Sequence, residues 1–282
     1  MKKRIGFGIL IIGVLAVFFV TRTKMPEYSP ERDYIDMEAQ ILEAFILAKD
    51  SSTIQLPEGH FLFSQSLSLD AKKHITIKGM GMDKTILSFK GQTQGAEGIK
   101  VTNSENITIE DLAVEDAAGD NIKVSDTDTL TLRNIRSAWT GEVSTENGAY
   151  ALYPVLSTQV LIEGCEAIGS SDAGIYVGQS QNVIIRNNKA YYNVAGIESE
   201  NSSNVEIYGN EAFENTSGLL IFNLPELTVY GKQVKAYQNK IYNNNIPNFG
   251  VKGSIVSAVP KGTGVVIMAT QDVAFYDNLV ED

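Results

Sequence analysis

Two stretches of the chain, GIYVGQSQNVIIRNN at residues 174–188 and GIESENSSNVEIYGN at residues 196–210, align with each other without a gap. Each begins with a glycine and an isoleucine, and a second strand-like segment starts eight residues after the glycine. The offset between the two stretches is 22 residues. A repeat of roughly 20–50 residues is typical of a solenoid in which each repeat forms one structural unit.

The same pattern extends over most of the chain. Six pairs of a small and an aliphatic residue stand eight residues before a second strand: Gly98-Ile99, Asn121-Ile122, Ala151-Leu152, Gly174-Ile175, Gly196-Ile197 and Gly264-Val265. Another pair, Gly218-Leu219, lies 46 residues before Gly264, which indicates a coil with insertions. About 22 residues suffice for three short strands and their corners, with each strand paired to its counterparts above and below. The spacing therefore predicts an all-β fold, a single-stranded parallel β-helix over residues 51–282.

The corner after the second strand carries a repeated polar residue. Equivalent positions hold Asn188, Asn210, Asn239 and Asn278. Asparagine tolerates a strained corner and can hydrogen-bond the backbone of the neighbouring coil, so we expect a ladder of stacked asparagines. Cys165 falls in the same column, which predicts a small buried side chain and not a nucleophile. It is the only cysteine, so an internal disulfide is excluded.

A helix over residues 33–50 is expected to cover the first coil. Five apolar residues recur there at helical spacing: Ile35, Ala39, Leu42, Phe45 and Ile46. Asp33 precedes them and is available as the N-cap. Such a helix would shield the unpaired backbone edge of the first coil, which would otherwise recruit another chain. The polar residues 25–32 are predicted to be a short linker.

Three insertions interrupt the repeat, at residues 137–149, 225–232 and 246–262. Insertions leave a solenoid as loops and often border its binding face. The sequence stops at DNLVED, residues 277–282, part-way through a coil and without a capping helix. An open β edge is a liability, so we expect further chain, a partner or a second copy to cover it.

Residues 1–24 have the pattern of an export signal. Lys2, Lys3 and Arg4 precede an uncharged apolar run at residues 5–20. As a helix the run would be about 24 Å long, shorter than a bilayer core of about 30 Å, and no Ala-x-Ala-like site follows it. We expect an uncleaved anchor that tethers a periplasmic protein to the inner membrane, with its basic end inside. A cleaved signal peptide is the alternative.

The charge of the chain excludes one class of partner. The formal net charge is −11, and residues 1–24 hold five basic and no acidic residues, which leaves −16 for the remainder. An acidic surface repels nucleic acid, because no basic face supplies phosphate contacts. It also disfavours an unassisted site for a polyuronate.

Over residues 53–282 the repeat resembles the pectin-lyase-like superfamily of right-handed parallel β-helices. The stretches SLSLDAKKHITIKGMGMDKTILSFKG (66–91), SSDAGIYVGQSQNV (170–183) and GIESENSSNV (196–205) are similar to a narrower group, exported bacterial β-helix repeat proteins whose genes often accompany a second exported protein. The resemblance implies a right-handed helix outside the cytoplasm and no settled activity. The superfamily includes polysaccharide lyases, mannuronan epimerases and copper-delivery proteins. Their catalytic motifs are not visible here, since the two histidines, His60 and His74, lie near the first coils.

Chemistry is expected on the outward face of the first strand in each rung. If the aliphatic residue of each pair points inward, one outward column reads Lys100, Lys123, Tyr153, Tyr176, Glu198, Leu220 and Val266. The parallel column two residues further on includes Thr102, Ser125, Gly178, Glu200 and Phe222. Rungs lie about 4.8 Å apart, so the first column should form a contiguous stripe.

The stripe predicts a surface for a polysaccharide or another extended polymer. Aromatic rings stack on sugar faces, and carboxylates and amides bond hydroxyl groups. As substrate-binding residues we predict Asp172, Gln179, Glu200 and Asn201, and as catalytic residues of a lyase or C5-epimerase Tyr176, Tyr153, Lys123 and Glu198. The alternative is that Tyr, Lys and Glu form ordinary solvent-facing pairs between rungs.

No cofactor or metal site is predicted firmly. Asp172, Glu198 and Glu200 carry oxygen atoms that would suit calcium, although they stand in different columns and no repeated Gly-Asp ligand pattern appears. Three hypotheses of function therefore stand at this point. The protein binds a glycan, acts on one as a lyase or epimerase, or is a scaffold that docks a second exported protein on its insertions or open end.

Overall fold

A computed structural model describes residues 24–281, and over most of that length the chain winds as a right-handed parallel β-solenoid. One side is an eight-stranded sheet, called sheet 1, with one strand in each rung. Its strands are Gln65–Asp70, Gln94–Thr102, Ile122–Ser125, Tyr150–Val155, Ala173–Gly178, Ala195–Glu200, Ser217–Phe222 and Thr263–Met268.

The other strands of the solenoid form a 16-stranded sheet that bends into two faces, called sheet 2 and sheet 3. Sheet 2 holds Thr53–Gln55, Lys73–Lys78, Glu105–Glu115, Asp128–Ala138, Thr158–Glu163, Gln181–Arg186, Ser203–Tyr208, Lys232–Tyr237 and Gln271–Tyr276. Sheet 3 holds Gly59–Leu62, Thr85–Ser88, Glu166–Ile168, Lys189–Tyr191, Glu211–Phe213, Lys240–Tyr242 and Leu279–Glu281. The faces join because the strands Glu105–Glu115 and Asp128–Ala138 continue from sheet 2 into sheet 3.

Columns of aliphatic side chains fill the interior, as the repeat predicts. In sheet 1 the aliphatic members of the repeated pairs stack rung upon rung: Ile99, Ile122, Leu152, Ile175, Ile197, Leu219 and Val265. In sheet 2, Val183 pairs with Val205 and Ile185 with Ile207. Parallel pairing in register places identical side-chain types in contact, and their burial supplies the main stabilising term of the fold.

The predicted asparagine ladder is confirmed at the corner between sheets 2 and 3. The backbone N–H of Asn188 donates to Oδ1 of Asn210 at 3.0 Å, and Asn210 donates to Asn239 in the same way. Asn239 donates in turn to Asn278. The backbone N–H of Cys165 begins the column by donating to Asn188 Oδ1. Burial raises the pKa of the Cys165 thiol to about 12, so this side chain is an inert filler.

The other two corners carry ladders that the sequence reading missed. At the corner between sheets 3 and 1, Asn193 donates to Asn215, which donates to Asn244. At the corner between sheets 1 and 2, successive serine hydroxyl groups accept backbone N–H groups at Ser157, Ser180 and Ser202. Each ladder satisfies backbone donors that a tight corner would otherwise leave unpaired.

Each strand of sheet 2 has a left-handed residue near its start. Six residues that we placed at the beginnings of second strands have positive φ values between 51° and 64°: Asn106, Thr129, Gln159, Asn182, Asn204 and Asp272. Asparagine and aspartate adopt this conformation more readily than other non-glycine residues. The left-handed backbone conformation therefore explains why a polar residue recurs at this position.

The N-terminal helix is shorter than predicted, at Glu38–Ile46. Asp33 is not its N-cap. Ile35 is still extended and pairs with Phe61, so the helix begins after Met37, which makes no side-chain cap. The helix faces the first coil through Ile41 and Phe45, whereas Ile46 is 72% exposed. Its Glu38 carboxylate accepts hydrogen bonds from the backbone and hydroxyl of Ser64, which ties the helix to the coil.

Residues 25–32 were predicted as a linker, and this is corrected. They lie against the solenoid as an ordered strap, in which Glu27–Tyr28 pairs antiparallel with Gly141–Glu142. Further along, Arg32 forms a 2.7 Å ion pair with Glu115, whose side chain is buried. The 137–149 insertion thus serves as a docking point for the N-terminal segment.

The predicted signal or anchor segment, residues 1–24 with its apolar run at 5–20, lies almost wholly outside the described residues. Within residues 24–281, no helix is both long and apolar enough to cross a membrane. At the other end, the last rung leaves apolar side chains open to solvent, including Ile267, Met268 and Val280 at 46–48% exposure.

Candidate active site

The outward columns of sheet 1 have the predicted register. Lys100 pairs with Lys123, Lys123 with Tyr153, Tyr176 with Glu198, and Glu198 with Leu220. The stripe is nevertheless not an exposed surface in its middle. Tyr176 is 5% exposed and Glu198 only 1% exposed, although both side chains point away from the solenoid interior. Ordinary solvent-facing pairs between rungs do not explain these two residues.

Two of the insertions cover this part of sheet 1. Leu224 and Leu227 at the beginning of one loop, and Gly253 to Val256 in the other, line a groove of about 470 Å3 over the strands. Phe249 and Val256 are buried within an apolar cluster that also contains Phe222 and Leu220 of sheet 1. The loops therefore pack on the stripe by hydrophobic contact and turn an open face into a partly enclosed site.

Polar bonds fix the first loop in place. The backbone N–H of Leu224 donates to Oδ1 of Asn201, whose amide donates to the carbonyls of Leu224 and Val229. The Thr228 hydroxyl donates to Oε1 of Gln179 at 3.1 Å. Asn201 is buried and does not line the groove, so the structure places this predicted substrate-binding residue in a positioning role.

Three tyrosine rings form one wall of the groove. The ring centroids of Tyr150 and Tyr153 are 4.5 Å apart, as are those of Tyr150 and Tyr176. Tyr153 meets Tyr176 edge-on at 5.0 Å. Tilted and edge-to-face contacts are the favourable arrangements for aromatic rings, so the cluster is mutually braced.

Gly178 sets the direction of one of these rings. A Cβ at Gly178 would stand 2.4 Å from the Tyr176 hydroxyl oxygen and 2.5 Å from a ring carbon. The ring therefore lies along its own strand, over the glycine. This direction brings the hydroxyl beside the Glu200 carboxyl group in the next rung.

Three carboxyl groups lie beside the tyrosines. Glu198 is buried, and its Oε1 has no hydrogen-bond partner. Burial, and then the charges of Asp172 and Glu200, raise the Glu198 pKa well above its ordinary value. Burial, and then the charges of Glu200 and Asp120, raise the Asp172 pKa to about 7. Carboxyl groups tuned in this way are typical of sites that exchange protons or bind charged ligands.

A side cluster holds the predicted catalytic lysine outside the groove. Lys123 Nζ lies 3.7 Å from Asp120 and 3.9 Å from Glu97, and 4.8 Å from the centre of the Tyr153 ring. Burial raises the Asp120 pKa to about 6, against the attraction of Lys123. Lys123 does not line the groove, and its ammonium group lies over the Tyr153 ring.

The pKa shifts indicate which groups in the groove are protonated near neutral pH. Burial raises the Tyr153 pKa to about 12, and burial with nearby carboxylates raises the Tyr176 pKa still further. Both phenols therefore remain protonated near neutral pH, so neither serves there as a base, and each can donate a hydrogen bond or a proton. Asp172, with its pKa near 7, is the group that can accept a proton there.

The profile of the right-handed beta helix region family matches residues 97–282, about two thirds of the chain. The chain belongs to the right-handed β-helix family. A comparison with curated proteins gave no match.

Solved structures resemble this β-helix in fold. The A-module of mannuronan C-5 epimerase AlgE4 from Azotobacter vinelandii has a TM-score of 0.55 at 16% identity, over 90% of this chain and 75% of that one. The periplasmic alginate epimerase AlgG gives 0.55 at 13% identity, over 84% of this chain and 53% of its own. The Streptococcus pneumoniae surface protein and adhesin PfbA gives 0.52 at 12% identity, over 92% and 96%. The predicted pectin-lyase-like fold is confirmed.

The β-helix brings most of the predicted residues into one groove. Tyr153, Tyr176, Glu198, Asp172, Gln179 and Glu200 line it, whereas Lys123 and Asn201 do not. Sequence reasoning missed Tyr150, which stands opposite the small Ala173 of the next rung and so has room to lean onto Tyr176. The sequence did contain a signal for Tyr150, since it is a large residue in a column whose next member, Ala173, is small. Sequence reasoning also missed Asp120, for which no column pattern existed.

No metal centre emerges from the described residues. Within 24–281 no group of three or more His, Cys, Asp or Glu side chains is arranged to hold a metal ion. The calcium expectation for Asp172, Glu198 and Glu200 remains untested. Another hollow, of about 680 Å3, lies where the strap turns into the N-terminal helix. No strand of sheet 1 lines this hollow, and the Arg32 side chain in it is already paired with Glu115. We therefore do not treat it as a candidate site.

Proposed function

We propose that the protein binds an extended glycan in the groove over sheet 1. The observation that carries the proposal is the buried Glu198 carboxyl group, one oxygen of which lacks a partner beside three clustered tyrosines. A buried polar group without a partner costs stability, so its retention favours a ligand that completes it. Aromatic walls with a few converging polar groups are what sugar recognition requires.

The solved structures of similar fold support a polysaccharide as the class of ligand. Two β-helices of similar fold carry titles that name a mannuronan epimerase and an alginate epimerase. A shared fold is an analogy and not an argument from a site. The lining residues come from successive rungs of sheet 1, so the groove runs parallel to the solenoid axis, which suits a chain-like ligand.

A second candidate function is catalysis by a lyase or C5-epimerase. The specific observation in its favour is Asp172, whose pKa of about 7 lets it take a proton near neutral pH, in the same groove as Tyr176 and close to the protonated phenol of Tyr153. In that role Asp172 is the base and a tyrosine the acid, with Glu198 neighbouring both. Lys123 does not line the groove, so we assign it no role in this step.

The scaffold hypothesis, with a second exported protein as partner, has less support. Phe249 and Val256 of the 246–262 insertion are buried against sheet 1, which leaves Val251 and Ile255 of that loop, with the last rung, as exposed apolar residues for docking. Export and periplasmic tethering depend on residues 1–24 alone and remain predictions.

The test is a screen of the full chain against neutral, acidic and amino-sugar glycans, with and without calcium. Both retention and product formation are measured. Retention without product supports a binder, and product makes the protein an enzyme. Absence of both from a folded sample contradicts the proposal and directs the search to protein partners.

A further inference from the structure

The lining of the groove holds several acidic side chains and no basic one. Among the fourteen described residues that line it, three are acidic, at positions 172, 198 and 200, and none is Lys, Arg or His. In the preceding rungs of sheet 1, Lys100 and Lys123 are engaged by Glu97 and Asp120. A site for a polyuronate needs cations to neutralise the ligand, and this groove supplies none.

Two polar atoms in the lining have no partner. Glu198 Oε1 and the Ser254 hydroxyl are both buried and lack a hydrogen bond within the described chain. They come from different elements, one from a strand of sheet 1 and the other from the 246–262 loop. Both can take a hydrogen bond from a donor on a ligand, because a carboxylate accepts and a hydroxyl can accept.

We propose that the groove takes a glycan whose sugar units carry free, protonated amino groups, with the ammonium seated at Glu198 among the tyrosines. This inference rests on the proposed function and names its substrate class. An ammonium group supplies three donors and the positive charge that the three carboxyl groups lack. It is also attracted to tyrosine rings, as Lys123 already is to Tyr153.

The electrostatics of the free protein agree with this assignment. Burial, and then neighbouring acidic groups, raise the pKa of both Asp172 and Glu198, and no basic residue is among the causes. A buried carboxylate without a cation is costly, whereas a bound ammonium would convert the same burial into a strong ion pair. The groups that face Glu198 are Asp172 and Glu200, with Tyr150 and Tyr176 beside them.

An ammonium ligand fits better than a metal ion. The carboxyl groups come from a corner and two outward columns and, among residues 24–281, form no cluster able to hold a metal. The charge of the whole domain points the same way. With −16 outside residues 1–24, the surface attracts a polycation and repels a polyanion over the Debye length.

The test compares three sets of oligosaccharides of matched length, namely fully deacetylated hexosamine, its N-acetylated form and a uronate. Binding to the full chain is measured by calorimetry at low salt. We expect the deacetylated oligosaccharide to bind at least about tenfold more tightly than the acetylated one, since a buried charge pair is lost on acetylation. Glu198→Gln keeps the shape and removes the charge, so it should abolish that preference. Glu166→Gln on sheet 3 is the matched control and should leave the preference intact.

The outcomes separate this inference from the proposed function. If both hexosamine forms bind within about threefold of each other, the groove is a glycan site and the amine assignment is wrong. Tightest binding of the uronate also overturns the assignment and favours the lyase or epimerase alternative. If none binds to a sample that melts cooperatively, both the inference and the proposed function fail. If Glu198→Gln still prefers the deacetylated oligosaccharide, the ammonium group does not bind at Glu198.

Discussion

The ring of Tyr176 lies over Gly178, two residues further along the same strand, and a Cβ at the glycine would stand 2.4 Å from the tyrosine hydroxyl oxygen. The glycine thereby lets the ring lie along the strand and reach Glu200 in the next rung. In the outward column that contains it, Gly178 stands between Val155 and Glu200. The absence of a side chain at this one position shapes the floor of the groove.

Gly178→Ala should weaken ligand binding while leaving the fold intact. The added methyl group pushes the Tyr176 ring into the groove, and a displaced anchor residue lowers affinity by about tenfold. Gly178 has no positive φ, so alanine is compatible with its backbone. The measurement is glycan affinity by calorimetry, with thermal unfolding as the check on folding. Ser125→Ala, in the same column but outside the groove, is the control, and equal loss in both variants would refute the role of Gly178.

Asp172→Asn should stabilise the protein at pH 8 more than at pH 5. The folded-state pKa of Asp172 is about 7, above its ordinary value of 3.8, so the folded state binds more protons than the unfolded state between these values. The stabilising effect of the protonated carboxyl group is therefore complete below pH 4 and is lost as pH rises towards 7. Asparagine does not titrate, so Asp172→Asn avoids this loss. Its free energy of unfolding at pH 8 should be higher than that of the wild type by on the order of 3 kcal/mol. Urea unfolding at both pH values measures it.

The exposed Asp126 offers a matched control for that experiment. Its φ of 51° is one that asparagine also tolerates, so Asp126→Asn tests the chemical change without the burial. We expect this variant to show the same unfolding free energy as the wild type at both pH values. A stability gain for Asp172→Asn that does not depend on pH would contradict the titration argument.

Asn201→Gly should release the 225–232 loop. The Asn201 side chain makes three hydrogen bonds to the backbone of Leu224 and Val229, and glycine keeps its left-handed φ of 45° without strain. We expect amide hydrogen exchange in the loop to become at least about tenfold faster and glycan affinity to fall. The control is Asn204→Gly, which has a similar φ of 53° on the exposed face of sheet 2. Unchanged exchange in Asn201→Gly would show that apolar packing alone holds the loop.

Asn210→Ala should be strongly destabilising, because this residue is the centre of the corner ladder. Its side-chain oxygen accepts two hydrogen bonds from Asn188, and its amide donates to Ile185 and Asn239. Removing it leaves buried donors and acceptors unpaired, at about 3 kcal/mol or more. Asn278→Ala, in the half-exposed last rung, should cost only about 1 kcal/mol. Equal losses in chemical denaturation would mean that the ladder does not act as a continuous unit.

The fold could be predicted from the sequence because the repeat is regular at the positions that pack between rungs. The register of Tyr176 with Glu198, and of Asn188 with Asn210, follows from counting residues between small-aliphatic pairs. The N-terminal strap could not be read in the same way. Its contacts, such as Arg32 with Glu115, join residues 83 apart with no periodic signal.

The groove was predictable only in part for a similar reason. Columns gave the outward residues, including Tyr153 and Glu200, since in-register pairing fixes their neighbours. The columns did not reveal that the 246–262 insertion folds back over Glu198 and removes it from water. Long loops carry no repeat, so the burial that raises the pKa of Glu198 became visible only with the structure.

The most direct test of the account is glycan retention by the full chain, kept in mild detergent because of its apolar residues 5–20, for the wild type and two tyrosine variants. Tyr176→Ala removes the ring that lies over Gly178. Tyr208→Ala removes a ring that stacks on Tyr237 on sheet 2, away from the groove. The account predicts that Tyr176→Ala loses retention and that Tyr208→Ala keeps it. Equal retention by all three proteins, or none by the folded wild type, would contradict a glycan site on sheet 1.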